Sequence, residues 1–265
     1  MPPHRVYAEA RTRNRLDLSS PVRSLILAPG DDEARLTAAL NSGVDAVVID
    51  LAVAMEAREA ARAAAARALG QARQREGGPV LMARVNLLGD GETDLDLDAV
   101  IPGAPVAIVL PGALGAPSIQ QLSVKLAVRE ARLDLEDGAT RIVAVADTAD
   151  GVLRLPSCAR ASARLAGIAW DAEALRREVG AEVCRDPSGG YAGPLRMARN
   201  MILLAAAASG VAAIDTVFAP LPSARGLRVE ARAARRDGFA AKFALDAAQA
   251  DVINAAFASK PTFSR

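Results

Sequence analysis

The 265-residue chain contains one histidine, His4, and only two cysteines, Cys158 and Cys184. This scarcity argues against a Ser–His–Asp triad, against a histidine general base and against a histidine-ligated zinc site. The two cysteines lie too far apart in sequence to resemble a metal-binding pair. We therefore interpret them as separate thiols in a reducing cytoplasm.

The sequence also lacks an excess of one charge and any long apolar run. Its 32 basic and 31 acidic residues give a formal net charge of +1, which favours neither a nucleic acid nor an anionic membrane as partner. No stretch approaches the roughly 20 apolar residues of a membrane-spanning helix. Residues 1–20 mix acidic and basic side chains without the apolar segment of a secretory signal, so we expect a cytoplasmic protein.

Hydrophobic residues are abundant, at 51%, and they occur in short runs. The most informative run is GVDAVVIDLAVAM, Gly43–Met55. Its β-branched residues are typical of a strand buried on both faces, Asp50 ends that strand, and a helix follows from about residue 54. Similar runs recur at Val22–Ala28, Val80–Asn86, Val106–Pro111, Arg141–Asp147, Leu165–Trp170, Val211–Val217 and Phe239–Leu245.

Eight such strands alternating with helices predict an α/β fold, a single-domain (β/α)8 TIM barrel. An open doubly wound sheet is the alternative, but no G-x-G-x-x-G motif follows any strand. We place the barrel at 22–258, after a flexible segment 1–21 and before a tail 259–265. The glycine- and proline-rich loop 185–194 is expected to be a lid or a subunit contact. Helices are predicted over about 32–42, 54–75, 117–133, 149–163, 195–209, 223–236 and 246–257.

Polar side chains occur near the ends of several predicted strands, and these ends form the active face of a TIM barrel. A carboxylate there can instead cap the next helix, and Asp215 can be an internal ion-pair partner. Arg84 lies in an apolar run where an unpaired charge is costly, so it either binds an anion or pairs with Asp50 or Asp147. The acids and the arginine together indicate a site for an oxygen-liganded divalent ion, a carboxylate substrate or both. The strand-end residues are Asp50, Arg84, Asn86, Asp147, Asp171, Asp215 and Lys242.

The chain resembles the citrate lyase β-subunit-like branch of the HpcH/HpaI aldolase superfamily, which includes malyl-CoA and citramalyl-CoA lyases. The resemblance runs from about Val22 to Phe257, and it rests on the order and spacing of seven segments rather than on any single motif. These are RSLILAPGD (Arg23–Asp31), GVDAVVIDL (Gly43–Leu51), ARVN (Ala83–Asn86), IVLP (Ile108–Pro111), ADTADGV (Ala146–Val152), AAIDTVF (Ala212–Phe218) and GFAAKFALDAAQ (Gly238–Gln249).

The resemblance implies a Mg²⁺-dependent lyase or aldolase that cleaves or forms a C–C bond. Its substrate would be a hydroxy or keto acid or the CoA thioester of such an acid. It also implies a homo-oligomer, a trimer or hexamer. Among the residues, we expect Arg84 and Asp50 to be catalytic. Arg84, Asn86 and Asp147 are expected to bind the substrate, and Asp147 and Asp171 to hold the metal.

Several positions depart from the pattern of the family. The acidic motif D-L-E-D reads DLAV at 50–53, the lysine of L-P-K falls on Gly112, and the second metal-binding aspartate falls on Ala174. The histidine of I-H-P-x-Q falls on Asp246. These departures predict weakened Mg²⁺ binding. They support a second hypothesis, in which the chain is a catalytically inactive homologue that serves as a binding or regulatory subunit, for example with an active paralogue.

Overall fold

The computed structural model describes residues 22–74, 77–218 and 223–258. Eight parallel strands close into a barrel in sequence order, which confirms the predicted (β/α)8 fold. The predicted terminal segments 1–21 and 259–265 lie outside the described residues, so their boundaries stay predictions. The strands are β1 Ser24–Pro29, β2 Ala46–Asp50, β3 Val80–Arg84, β4 Ala107–Leu110, β5 Arg141–Ala146, β6 Leu165–Trp170, β7 Ala212–Asp215 and β8 Ala241–Ala244.

Helices surround the barrel, and in the described ranges none of them is long and apolar enough to cross a membrane. In the described ranges, two α-helices, Ala172–Glu178 and Gly193–Ser209, follow β6, whereas each of the other strands is followed by one. The helices are α1 Glu33–Leu40, α2 Arg58–Ala72, α3 Thr93–Val100, α4 Ala116–Arg132, α5 Ala149–Arg154, α6 Ala172–Glu178, α7 Gly193–Ser209, α8 Ala224–Asp237 and α9 Ala247–Ala258.

Two helices differ from the sequence predictions. Helix α3 occupies a connection for which the sequence predicts only a glycine-rich loop up to Glu92, because acidic residues at 94, 96 and 98 interrupt its apolar pattern. The helix predicted over 149–163 ends at Arg154. A short 3₁₀ turn containing Pro156 follows, since proline has no N–H to continue the helical hydrogen bonds.

Side chains alternate between the interior of the barrel and the layer beneath the helices. Aliphatic side chains such as Val48, Met82 and Ile214 pack together in the interior. Asp50 has the same alternation as Val48 along β2, and it lies opposite Arg84 in the register with β3. Both polar side chains therefore lie at the carboxyl end of the barrel interior, which we call the mouth.

Asp215 and Lys242 lie at strand positions that alternate the other way from Asp50 and Arg84. Their side chains therefore point towards the helices. Both are fully buried. Lys242 Nζ donates to Asp215 Oδ2 at 3.2 Å, to Glu230 Oε1 at 2.7 Å and to the carbonyl of Thr216 at 2.6 Å. Trp170 Nε1 donates to Asp215 Oδ1 at 2.9 Å. Of the two interpretations of Asp215, the internal ion-pair partner is therefore the correct one, and Lys242 belongs to the same cluster rather than to the mouth.

The buried Lys242 gives a stability prediction. Lys242→Met removes the cation that Asp215 and Glu230 share. It leaves each buried carboxylate with one arginine partner, Arg199 at 3.6 Å from Asp215 and Arg185 beside Glu230. We expect the free energy of unfolding to fall by about 3–5 kcal/mol, as when one partner of a buried ion pair is removed. Urea denaturation followed by circular dichroism measures this loss.

Lys125→Met is the matched control. Lys125 pairs with Asp94 at 2.6 Å, but half of the Asp94 side chain is exposed. Such surface pairs contribute about 0–1 kcal/mol. Equal losses in the two variants would contradict the importance assigned to the buried cluster.

Candidate functional site at the mouth of the barrel

Arg84 and Asp50 form a bidentate ion pair at the mouth. Arg84 Nε donates to Asp50 Oδ1 at 2.8 Å, and Nη2 donates to Oδ2 at 2.6 Å. Asp50 Oδ1 also accepts from the amide of Ala52 at 3.0 Å. Burial lowers the pKa of Arg84, but the hydrogen bonds and charge of Asp50 outweigh this effect and raise it overall. The guanidinium is therefore a fixed cation, which pairs with Asp50 rather than with Asp147.

The ion pair with Asp50 leaves some N–H donors of the Arg84 guanidinium available to a ligand. A quarter of its side chain is exposed, whereas that of Asp50 is 9% exposed. Within the described ranges, no hydrogen bond from Arg84 Nη1 to a protein atom is observed. The guanidinium can thus be held by Asp50 on one edge and bind an anion through its other donors.

Asp147 follows β5 and lies in a partly buried position. Both of its carboxylate oxygens accept from the amide of Gly112, at 2.9 and 3.2 Å. Burial raises the pKa of Asp147, and the negative charge of Asp171 raises it further. The hydrogen bond from Gly112 and the charge of Arg84 oppose this shift without cancelling it. The ionised carboxylate is therefore poorly compensated by the protein.

Asp171 is the N-cap of α6. Its Oδ1 accepts from the amides of Glu173 and Ala174 at 2.9 and 3.0 Å, which confirms the capping interpretation. Its charge also acts on the pKa values of Arg84 and Asp147, so these three side chains share one electrostatic environment. No hydrogen bond to Asp171 Oδ2 is observed in the part of the chain that the structure describes.

Asn86 is buried and bonded within the protein. Its Nδ2 donates to the carbonyl of Leu51 at 3.1 Å and to Asp96 Oδ2 at 2.8 Å. Asp96 also accepts from Arg62 Nε at 2.7 Å. Asn86 therefore ties the loop after β2 to α3, and its predicted contact with a substrate stays a prediction. Sequence reasoning missed Asp96, although a carboxylate between apolar residues of a short helix was a signal.

The mouth carries acidic side chains of the kind that bind divalent ions. Among the described residues, no group of three or more His, Cys, Asp or Glu side chains is arranged to hold a metal. Three carboxylates nevertheless face one guanidinium, so an excess of two negative charges remains when all are ionised. Mg²⁺ commonly uses only one or two protein carboxylates and completes its shell with water and substrate oxygens. The predicted role of Asp147 and Asp171 as metal ligands stays a prediction.

Comparisons with known proteins agree with this barrel fold. The family model described as HpcH/HpaI aldolase/citrate lyase matches residues 23–247, which is most of the chain. The chain belongs to this family. The resemblance stated from the sequence is thereby confirmed.

Two relatives of the chain are about 30% identical to it in sequence. The citrate lyase subunit beta of Haemophilus influenzae is 30% identical over 238 residues, 89% of this chain and 79% of that protein. The (3S)-malyl-CoA thioesterase of Cereibacter sphaeroides is 29% identical over 243 residues, 91% and 79% of the two chains. The crystal structure of CitE from Mycobacterium tuberculosis with magnesium, acetoacetate and coenzyme A has a TM-score of 0.73 and 28% identity, over 92% of this chain and 84% of that one.

The raised pKa of Asp147 gives a pH-dependent prediction. Its folded state holds a proton more tightly than its unfolded state, so at neutral pH the ionised carboxylate lowers the free energy of unfolding. This penalty fades as the pH falls through the raised pKa towards the value of an unfolded aspartate, about 3.9. Asp147→Asn should therefore melt at a higher temperature than the wild type at pH 7, and the difference should shrink towards pH 4.

Thermal melts between pH 4 and 8 test this expectation. Asp31→Asn, in an exposed turn, controls for the loss of one negative charge. A melting temperature of Asp147→Asn at or below that of the wild type at pH 7 would contradict the prediction.

Proposed function

We propose that the protein is a citrate lyase β-like C–C lyase. Its substrate would be a small hydroxy or keto acid or the CoA thioester of such an acid. The observation that carries this proposal is the mouth, where Arg84 is clamped by Asp50 and shares its surroundings with Asp147 and Asp171. Structures of CitE in complex with magnesium, acetoacetate and coenzyme A, and with oxaloacetate and magnesium, support the same class of ligand.

Arg84 is proposed as the residue that binds the carboxylate or keto oxygen of the substrate. Its remaining N–H donors suit a carboxylate, because the planar guanidinium matches the geometry of two oxygens. Asp50, expected from the sequence to be catalytic, acts in this proposal by holding the guanidinium in one orientation. Fixing a binding group in this way reduces the entropy lost when substrate binds.

Asp147 and Asp171 are proposed to hold Mg²⁺ together with water and the substrate. When bound, such an ion would polarise the substrate carbonyl and stabilise an enolate. A neighbouring cation would favour the ionised form of Asp147, which the protein alone leaves poorly compensated. The two carboxylates supply fewer donors than a three-residue site, so we expect the ion to bind more tightly when substrate oxygens are present.

One observation favours the alternative, an inactive homologue that acts as a binding or regulatory subunit. Gly112, where the family pattern has a lysine, has a φ of 59°, and a Cβ built there would lie 2.6 Å from Leu87 Cδ2. A side chain at 112 would therefore need Leu87 to move. A glycine in place of the lysine removes one stabiliser of an anionic substrate or intermediate.

A cleavage assay on a panel of acyl-CoA substrates tests the lyase proposal. With Mg²⁺ present, the wild type should split malyl-CoA or citramalyl-CoA into acetyl-CoA and a 2-keto acid. Arg84→Gln should lower kcat/KM at least 100-fold, about 2.7 kcal/mol of transition-state stabilisation, because the substrate carboxylate loses its charged partner. Separation of the CoA esters by chromatography measures the rates.

Arg23→Gln is the matched control. Arg23 makes the same kind of two-pronged pair, with Asp45, but at the opposite end of the barrel. Its activity should match that of the wild type. If the wild type cleaves no member of the panel, the lyase proposal fails and the subunit hypothesis gains. In that case, native mass spectrometry with an active paralogue is the next test.

A further inference from the structure

A cavity lies outside the barrel, between α7 and α8. Its volume is about 800 Å³, which is within the range of small-molecule sites. The loop containing Arg185 and Tyr191, which form an isolated antiparallel bridge, closes one side. Arg84, Asp147 and Asp171 do not line this cavity, so it is separate from the mouth.

The lining of the cavity is predominantly basic. Four arginines and two acids contribute to it, which leaves an excess of two positive charges. Two of the arginines are paired. Arg185 pairs with Glu230, and Arg199 Nη1 donates to Asp237 Oδ2 at 2.8 Å. The excess charge therefore belongs to the other two, Arg196 and Arg225.

Arg196 and Arg225 are exposed, and neither makes an ion pair or a side-chain hydrogen bond with any residue that the structure describes. The charge of Arg196 acts on the pKa of Asp186, but no hydrogen bond joins them. The Oδ1 atom of Asp186 instead accepts from Ser188 and from the amide of Gly190. Among the described residues, nothing takes up the donors of either guanidinium group, so both can bind a ligand.

The positions of these two arginines oppose helix stability. Arg196 lies in the first turn of α7 and Arg225 in the first turn of α8, and neither turn contains an acidic residue. A cation near a helix N-terminus is repelled by the positive end of the helix dipole. An anion in the cavity would relieve this repulsion at both helices.

The remaining walls are partly aromatic and aliphatic. The Arg185 guanidinium lies 4.1 Å from the ring centroid of Tyr191 and 5.5 Å from that of Phe218. Val229 and Ala233 line the cavity from α8. These surfaces suit the organic part of a ligand, and the two unpaired arginines suit its charged part.

We propose that this cavity is a binding site for a small, multiply charged organic oxyanion. Arg196 and Arg225 hold its anionic groups, and Tyr191 and Phe218 flank the remainder. Both organic phosphates and polycarboxylates have this chemistry, because guanidinium groups bind both kinds of oxyanion. The site is independent of the lyase proposal, since no mouth residue takes part.

Calorimetric titration of the full chain with pyrophosphate, and separately with citrate, tests the proposal and distinguishes the two sources. We expect saturable binding of at least one probe at 0.15 M salt. The double variant Arg196→Gln/Arg225→Gln should weaken it at least tenfold. Arg84→Gln, which removes the cation of the mouth, should change the binding of pyrophosphate less than twofold, whereas citrate binding that this variant abolishes belongs to the mouth.

Arg228→Gln/Arg232→Gln is the charge-matched control, because both arginines are exposed on α8 and do not line the cavity. It should bind the probe as the wild type does. Absence of saturable binding would overturn the proposal. Equal weakening in the two double variants, or loss of pyrophosphate binding in Arg84→Gln, would also overturn it.

Thermal melts give a second measurement that does not depend on heats of binding. Without added anion, Arg196→Gln/Arg225→Gln should melt no lower than the wild type, because the variant removes the repulsion at two helix ends. Addition of the binding probe should raise the melting temperature of the wild type and not that of the variant. An equal rise in both proteins would contradict the assignment of the site to these arginines.

Discussion

The pairing of Asp50 with Arg84 across β2 and β3 is the interaction on which the mouth of the barrel depends. A partly buried guanidinium needs an anionic partner, and the parallel register supplies one on the neighbouring strand. The carboxylate takes up two of the donors and leaves the rest facing the mouth. The same contact therefore stabilises the strand ends and presents a fixed cation to a ligand.

Alternation along the strands separates binding groups from structural ones. Asp50 and Arg84 point into the barrel and form the mouth. Asp215 and Lys242, also near strand ends, point the other way and form a buried cluster beneath α7 and α8. A shift of one residue in either strand would exchange these roles, because successive side chains point to opposite faces.

The strands were predictable from sequence because each is a short β-branched run with a turn signal after it, as at Val44–Asp50. The partner of Arg84 was not predictable, since Asp50 and Asp147 were equally plausible until the register was known. Asp171 is both a helix cap and a charged group of the mouth. Its Oδ1 atom caps α6, and its charge acts on Arg84 and Asp147. The basic cavity depends on Arg196 and Arg225, which are 29 residues apart in sequence and line one cavity only because the fold places the starts of α7 and α8 beside it.

Calorimetric titration with Mg²⁺, with and without oxaloacetate, tests most directly whether the mouth is a metal-assisted acid site. Two carboxylates and an arginine-bound acid should together hold the ion. We therefore predict saturable binding at or below millimolar Mg²⁺ when oxaloacetate is present, and its loss in Asp147→Ala. The absence of heat under both conditions would contradict a metal-dependent lyase and direct attention to protein partners of the barrel.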